Sequence, residues 1–554
     1  MSGTWNGLTN QPTFNTGTMI LLTDGRVMVN ESASAHWHAL TPDSNGSYIN
    51  GTWSDLADMA NKRLYYASGI LKDGRLIVCG GEYSDASGTY MQDWTNKCEM
   101  YDPASNSWSS IPSPLNWSQV GDATCCVLPD GRFMLGNLND NTCAIYDPSS
   151  NTWTAAASKA IKSDEETWIL LNDNTILTIQ CWSPYSTEKY NIATDTWHNE
   201  GNLPVTIVDT VMQEIGPAML MYNRKAIFFG AANSGGNGKT VIYTLPASPS
   251  GVGTWTAGKD IPKVNGQTIV SNDCPAALLP NGNVLFTGAN FLNNDWGQPI
   301  LFFEYDPVAN AITQVASPTN NGKKLYWSRL MLLPTGEVLF SPSSNDVQCY
   351  VPSGTPQDAW RPTVSSTVAH TTLPWLIDYF TLEGTQLNGL SQGNIYGDDC
   401  YCATNYPLVR LQRIPTNEIY YARTFNFSTM GVATGNSIQS LRFEAGGIPD
   451  GTYDLFVVAN GISSFAYQFH LKRPAKPEIL DNMKLEFEYF GKLVAEGDPW
   501  KWREWVIDPE IREMKSELRR LEQTVQVLSS IIQARELPEV GKQIAGKASP
   551  TEIV

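Results

Sequence analysis

A chain of 554 residues, 42% hydrophobic and only 17% charged, is long enough for several domains with large cores. Its formal charge of −18 argues against non-specific binding to nucleic acid or to an anionic membrane. With 44 Gly, 33 Pro and 18 Trp, the composition suits an all-β protein rich in turns.

The N-terminal stretch "MSGTWNGLTNQP" has no basic region followed by an apolar one, and no apolar run reaches 18 residues. As written, the chain reads as soluble, cytosolic at synthesis unless processed, and without membrane insertion.

Seven related segments follow: "MILLTDGRVMV", "GILKDGRLIVCGG", "CCVLPDGRFMLGN", "WILLNDNTILTI", "MLMYNRKAIFFGA", "ALLPNGNVLFTGA" and "LMLLPTGEVLF". Each is an apolar strand, a tight turn and a second apolar strand. The turns open at Asp24, Asp73, Asp130, Asp173, Asn223, Asn281 and Thr335, at intervals of 49, 57, 43, 50, 58 and 54 residues. Four further stretches, such as "CEMYDPASNSWSSI" and "CAIYDPSSNTWTAA", supply a third strand and, in most, a Trp-bearing fourth. One such unit cannot bury both faces, so the copies are expected to pack radially, and a period near ~50 fits a kelch-type propeller blade. The seventh copy lacks a Trp strand. "SGTWNGL" at 2–8 matches "NGTWSDL" at 50–56, so the N-terminal strand is expected to close the ring.

Beyond residue 355 the repeat stops but strands continue. "IPDGTYDLFVVA" looks like the closing hairpin of an immunoglobulin-like sandwich. Residues 471–554 then carry 14 Lys or Arg and 15 Asp or Glu, after a "KRPAKP" linker. Asp508 and Pro509 open a helix that Pro538 ends. Ile511, Met514, Leu518, Leu521, Val525, Leu528 and Ile532 form an a/d seam along it. Two readings stay open: packing on the chain's own β domains, or self-association and docking to a protein partner. The expected fold is all-β. It comprises a seven-bladed kelch-type β-propeller over 1–355, an immunoglobulin-like β-sandwich over 356–472, and a charged α-helical, coiled-coil-like tail over 473–554.

Most of the ten cysteines lie in apolar strand-like runs and are expected to be buried thiols. Cys400-Tyr-Cys402 is a candidate disulfide or soft-metal pair, and Asp398-Asp399 beside it reads as a loop. His36-Trp-His38 puts two imidazoles on one strand face, but ordinary strand residues are the simpler reading. "NSGGNGKT" at 233–240 lacks P-loop spacing.

The repeated ring followed by a sandwich resembles the copper-radical oxidases, galactose oxidase and glyoxal oxidase. "FNTGTMILLTDGRVMV", "RLYYASGILKDGRLIVCGG", "LYWSRLMLLPTGEVLF" and "YARTFNFSTMGVATG" carry the resemblance over residues 1–472. In that family two tyrosines and two histidines bind one axial copper, and a Cys is cross-linked to one Tyr. The resemblance implies that Tyr65, in Arg63-Leu64-Tyr65, keeps the cross-linked phenol. Asn15, in Phe14-Asn15-Thr16-Gly17, stands where the Cys belongs. Tyr326-Trp327 stands for a Tyr-His pair, and Arg423 for the last His. Trp and Arg offer donors and no lone pair, so neither replaces imidazole on copper.

No catalytic residue, metal or cofactor is therefore expected. Asn15, Tyr65, Tyr326, Trp327 and Arg423 become a candidate axial binding pocket, suited to a carbohydrate or a small polar anion. The function expected is a non-catalytic scaffold or recognition protein, docked or oligomerised through its tail. The alternative is a divergent copper oxidoreductase acting on an alcohol or aldehyde.

Overall fold

The computed structural model describes residues 3–473 except 233–235, 293–294, 372–377 and 396–401. The proposed helix and its a/d seam, with Asp398, Asp399 and Cys400, lie outside the described residues. Among the described residues the regular structure is β-strand with short 3-10 turns, and no helix is long and apolar enough to cross a membrane.

Six of the seven sequence repeats lie in four-stranded antiparallel sheets, and the sixth supplies four strands in line within a seven-stranded one. Sheet one is Thr16–Leu21, Val27–Glu31, Trp37–Thr41 and Thr52–Asp55. Sheets two to six follow in chain order, starting at Ala67–Ile70, Cys125–Val127, Trp168–Leu170, Ala218–Leu220 and Ala276–Leu278. Sheet seven takes Arg329–Leu332, Val338–Ser341 and Gln348–Val351, and Thr4–Gly7 completes it with Trp5 opposite Tyr350.

The tight turns explain the hairpins. The position after the turn-opening residue has a left-handed backbone: Gly25 (φ 79°), Gly74 (85°) and Gly131 (95°), with Asn174 (60°) and Arg224 (67°) in the two divergent copies. The opening Asp or Asn accepts the N–H two residues on, as in Asp73 Oδ1 to Arg75 N at 3.0 Å.

First strands of successive sheets lie side by side from two through to seven, and seven lies beside one. Both faces of each are buried, which is why these runs are mainly apolar. The repeated Trp ties one sheet to the one before it. Trp108 Nε1 donates to Ala57 O (2.9 Å), Trp153 Nε1 to Pro112 O (2.7 Å), Trp5 Nε1 to Ala316 O (2.6 Å) and Trp53 Nε1 to Asn10 O (2.9 Å). The last two run from sheet seven to six and from sheet one to seven. The arrangement is β-propeller-like.

After residue 362, Asn394–Ile395 joins sheet six, while seven strands form a continuous path and Tyr467–Leu471 pairs beside it to make an eight-stranded sheet. Ile419–Phe425 is shared between its two halves: residues 419–422 pair with Leu408–Ile414, and residues 423–425 with Ile438–Glu444. Alternate residues of these strands, such as Leu382, Leu411, Leu441, Phe443 and Leu455, are buried together. This unit covers the turn ends of several sheets. Thr424 N donates to Thr23 O (3.0 Å), Phe427 N to Lys72 O (3.1 Å) and Met430 N to Pro129 O (2.8 Å).

Candidate functional site

The expected site residues divide between two ends of the first strands. Tyr65 precedes Ala67–Ile70. Tyr326 and Trp327 lie in the 3-10 turn Leu325–Trp327, just before Arg329–Leu332. All are at the end away from the tight turns.

Arg63 holds the Tyr65 segment from below. Its side chain is fully buried, ion-paired to Glu99, and donates to Gly80 O (2.7 Å) and Lys97 O (2.6 Å). Arg63–Leu64 pairs with Tyr83–Ser84, which pairs with Met91–Gln92, so a hairpin stands over this end of sheet two. Tyr65 itself has φ 53°, uncommon for a bulky residue, and its carbonyl accepts Glu82 N (2.9 Å).

Arg329 links the two tyrosine segments, near the Tyr65 ring and bonded to the Tyr326 backbone. It is 5% exposed, and Nη1 donates to Tyr326 O (2.9 Å) and Ser328 O (2.8 Å). Its guanidinium carbon is 5.8 Å from the Tyr65 ring centre. Tyr83 meets Tyr65 edge-on at 6.4 Å, Tyr90 stacks on Tyr83 at 6.5 Å, and Trp327 meets Tyr326 edge-on at 5.8 Å. Burial, then Glu82 and Tyr326, pushes the Tyr83 phenol above its usual value. Burial and the neighbouring Tyr83 and Glu82 push Tyr90 up to about 12. The result is an aromatic platform around one buried cation.

Asn15 stands at the start of sheet one with its side chain exposed, its carbonyl accepting Ser32 N (2.8 Å). Arg423 is elsewhere. It pairs with Glu444 (2.9 Å), lies 4.5 Å over the Phe425 ring, and belongs to the strand seated on the turn ends of sheets one and two. The expectation that it joins Tyr65 is corrected: strand pairing with Ile438–Glu444 aims it at a carboxylate in its own unit. Arg329, Tyr83 and Tyr90 were not anticipated. Their signal was the arginine closing "YWSR" and a tyrosine-bearing excursion inside one of the long repeat intervals.

The residues present do not fit an axial copper. All five histidines are engaged elsewhere: His36 with Asp58 (2.9 Å), His38 with Asp55 (3.0 Å), His198 with Glu200 (3.1 Å), His370 with Thr381 (2.8 Å) and His470 with Thr452 (3.1 Å). His36 precedes the strand Trp37–Thr41 that carries His38, and the two face different carboxylates rather than one ion. Among the described residues no three His, Cys, Asp or Glu side chains gather as metal ligands. The nine described cysteines are buried, Cys402 included.

Residues 63–115 match the kelch motif. The kelch match covers the second repeat, the one that carries Tyr65 and the hairpin. The Kelch-like protein terF of Aspergillus terreus is 32% identical over 90 residues, 16% of this chain and 19% of that protein. An F-box/kelch-repeat protein of Arabidopsis thaliana is 26% identical over 140 residues, 22% of this chain and 28% of that protein. The chain thus spans only 19% and 28% of the length of these curated relatives. Among solved structures, a fungal alcohol oxidase of the AA5 family in complex with copper aligns with a TM-score of 0.48 and 13% identity, over 85% of this chain and 99% of that one. A catalytically inactive virginiamycin B lyase from Staphylococcus aureus aligns at 0.44 and 11% identity, over 63% and 100%.

Proposed function

We propose that this chain is a non-catalytic kelch-repeat recognition protein. In this reading residues 1–355 are a seven-bladed propeller, residues 356–472 an immunoglobulin-like domain, and residues 473–554 a helical tail that self-associates or docks on a larger assembly. Kelch repeats generally mediate protein–protein contacts, and the hairpin-bearing face around Tyr65 is the surface offered to a partner.

The observation that carries the reading is Arg329. Its guanidinium is permanently charged, buried beside Tyr65 and tied to the Tyr326 backbone. A cation fixed there repels a metal ion beside the Tyr65 phenol, and the five imidazoles bond other partners. Exposed Tyr90 and Met91 on the hairpin, 37% and 51% accessible, add the aromatic and apolar contacts typical of interface cores.

Metal analysis of the full-length protein after copper loading, with a hydrogen peroxide assay on alcohols and aldehydes, tests this. Substoichiometric copper and no peroxide are expected. Stoichiometric copper with peroxide release overturns the reading. For the tail, mass in solution of the full chain is compared with a Leu518→Glu, Leu521→Glu variant. A mass unaltered by the variant ends the self-association half of the proposal.

A further inference from the structure

On the flank of sheet four, away from the tyrosine platform, lies a cavity of about 530 Å³. That volume is within the ~300–1,000 Å³ usual for small-ligand sites. Its walls come from residues 158–161, which lead out of sheet three, and from the two outer strands of sheet four, Ser186–Asn191 and Thr196–Asn202. Trp197, Gln180, Ser183, Ser186 and Asn199 line it.

The charged groups at this cavity are neutralised within the protein. Lys159, fully buried, pairs with Glu166 and lies 3.7 Å from Glu188. Glu188 also accepts Gln180 Nε2 (2.5 Å) and Ala160 N (2.8 Å). His198 pairs with Glu200 (3.1 Å). A ligand therefore meets hydroxyls, amides and an indole, and the one lining ammonium, Lys159, is held by two carboxylates rather than left to hold an anion.

The turn that brings Ser183 to the cavity also carries two exposed rings. Trp182 and Tyr185 flank Ser183 in the same tight turn and are 48% and 51% accessible, unusual for residues of this size. Trp182 is held in place: Nε1 donates to Asp164 (2.9 Å), and the Lys162 ammonium, itself paired to Asp164, sits 3.7 Å from the ring centre. A ring fixed before binding loses little freedom when a ligand stacks on it.

We propose that this cavity binds a neutral oligosaccharide. The apolar C–H faces of the sugar rings pack on Trp182, Tyr185 and Trp197, and their hydroxyls bond to Ser183, Ser186, Gln180 and Asn199. The site is separate from the Tyr65 platform and does not rest on the recognition role proposed for that face.

The test is titration of the full-length protein, and of its Trp182→Ala, Tyr185→Ala and Val308→Ala variants, with cellotetraose, maltotetraose, chitotetraose and tetragalacturonate. Binding of a neutral tetrasaccharide is expected, weakened at least about tenfold by W182A or Y185A and unchanged by V308A at an exposed position of sheet six. Trp182 and Tyr185 are exposed, so thermal melts matching the parent protein separate a binding defect from unfolding. No neutral oligomer bound at millimolar concentration, binding indifferent to both W182A and Y185A, or equal or tighter binding of tetragalacturonate overturns the proposal.

Discussion

The Arg329 guanidinium lies 5.8 Å from the centre of the Tyr65 ring, bringing the start of sheet seven against the start of sheet two across the ring of strands. The same guanidinium donates to the carbonyls of Tyr326 and Ser328. Arg329→Met removes both bonds at a buried position and should cost about 1–3 kcal/mol. Arg329→Lys, which keeps the charge without the fork, should recover only part of it. Urea unfolding of the two variants checks the order; equal stability to the parent protein refutes it.

Arg63 and Glu99 form a second, deeper pair beneath the platform. Glu99→Ala leaves a fully buried guanidinium without its counter-ion and frees Ala60 N, which donates to the other carboxylate oxygen at 2.8 Å. A loss of about 3–5 kcal/mol is expected. Guanidinium chloride unfolding should show it, with Glu99→Gln intermediate because its carbonyl still accepts.

Gly25 is held at φ 79° in the first tight turn, and a Cβ there would stand 2.5 Å from Tyr421 Cγ. Gly435, at φ 61°, has nothing within 4 Å of its Cβ position. Gly435→Ala should carry only the left-handed backbone cost, about 1–2 kcal/mol. Gly25→Ala should lose more, because it also displaces Tyr421. Thermal melts of the two variants should separate by several degrees, and coincident melts would mean Tyr421 yields freely.

Burial pushes the phenols of Tyr101, Tyr146 and Tyr421 up to about 12. It also raises Tyr48, whose hydroxyl bonds Gly25 O, well above its usual value. The folded protein thus keeps protons that the unfolded chain releases near 10, so it binds more protons than the unfolded state above that pH. Their contribution to stability is complete below about 10 and is lost as pH climbs through the raised values. Urea midpoints should hold steady from pH 8 to 9.5 and fall by pH 11. The native phenolate absorbance at pH 11 should fall short of that for all 23 tyrosines.

Burial also pushes the Cys143 and Cys274 thiols up to about 12. Each of the nine described cysteines is buried. At pH 8 a thiol reagent should therefore label no more than one site per native chain, and many more after denaturation. Rapid labelling of several native thiols would contradict the packing of the sheets.

What the sequence determined by itself was everything written in local chain chemistry. A left-handed turn needs Gly or Asn, and its opening Asp bonds two residues on. The seven hairpins were therefore legible wherever "DG" or its relatives punctuated apolar runs, and Trp5 was recognisable as the missing outer strand by its likeness to Trp53. Tertiary structure alone decided which side chains meet. Arg423 stood in a plausible motif, yet pairing with Ile438–Glu444 turned it to Glu444. Arg329 reached Tyr65 although 264 positions separate them. The repeated Trp bonded the preceding sheet rather than its own edge. Backbone turns are set by a few neighbouring dihedrals, whereas a contact across the ring depends on how all seven sheets close, and no short stretch carries that information.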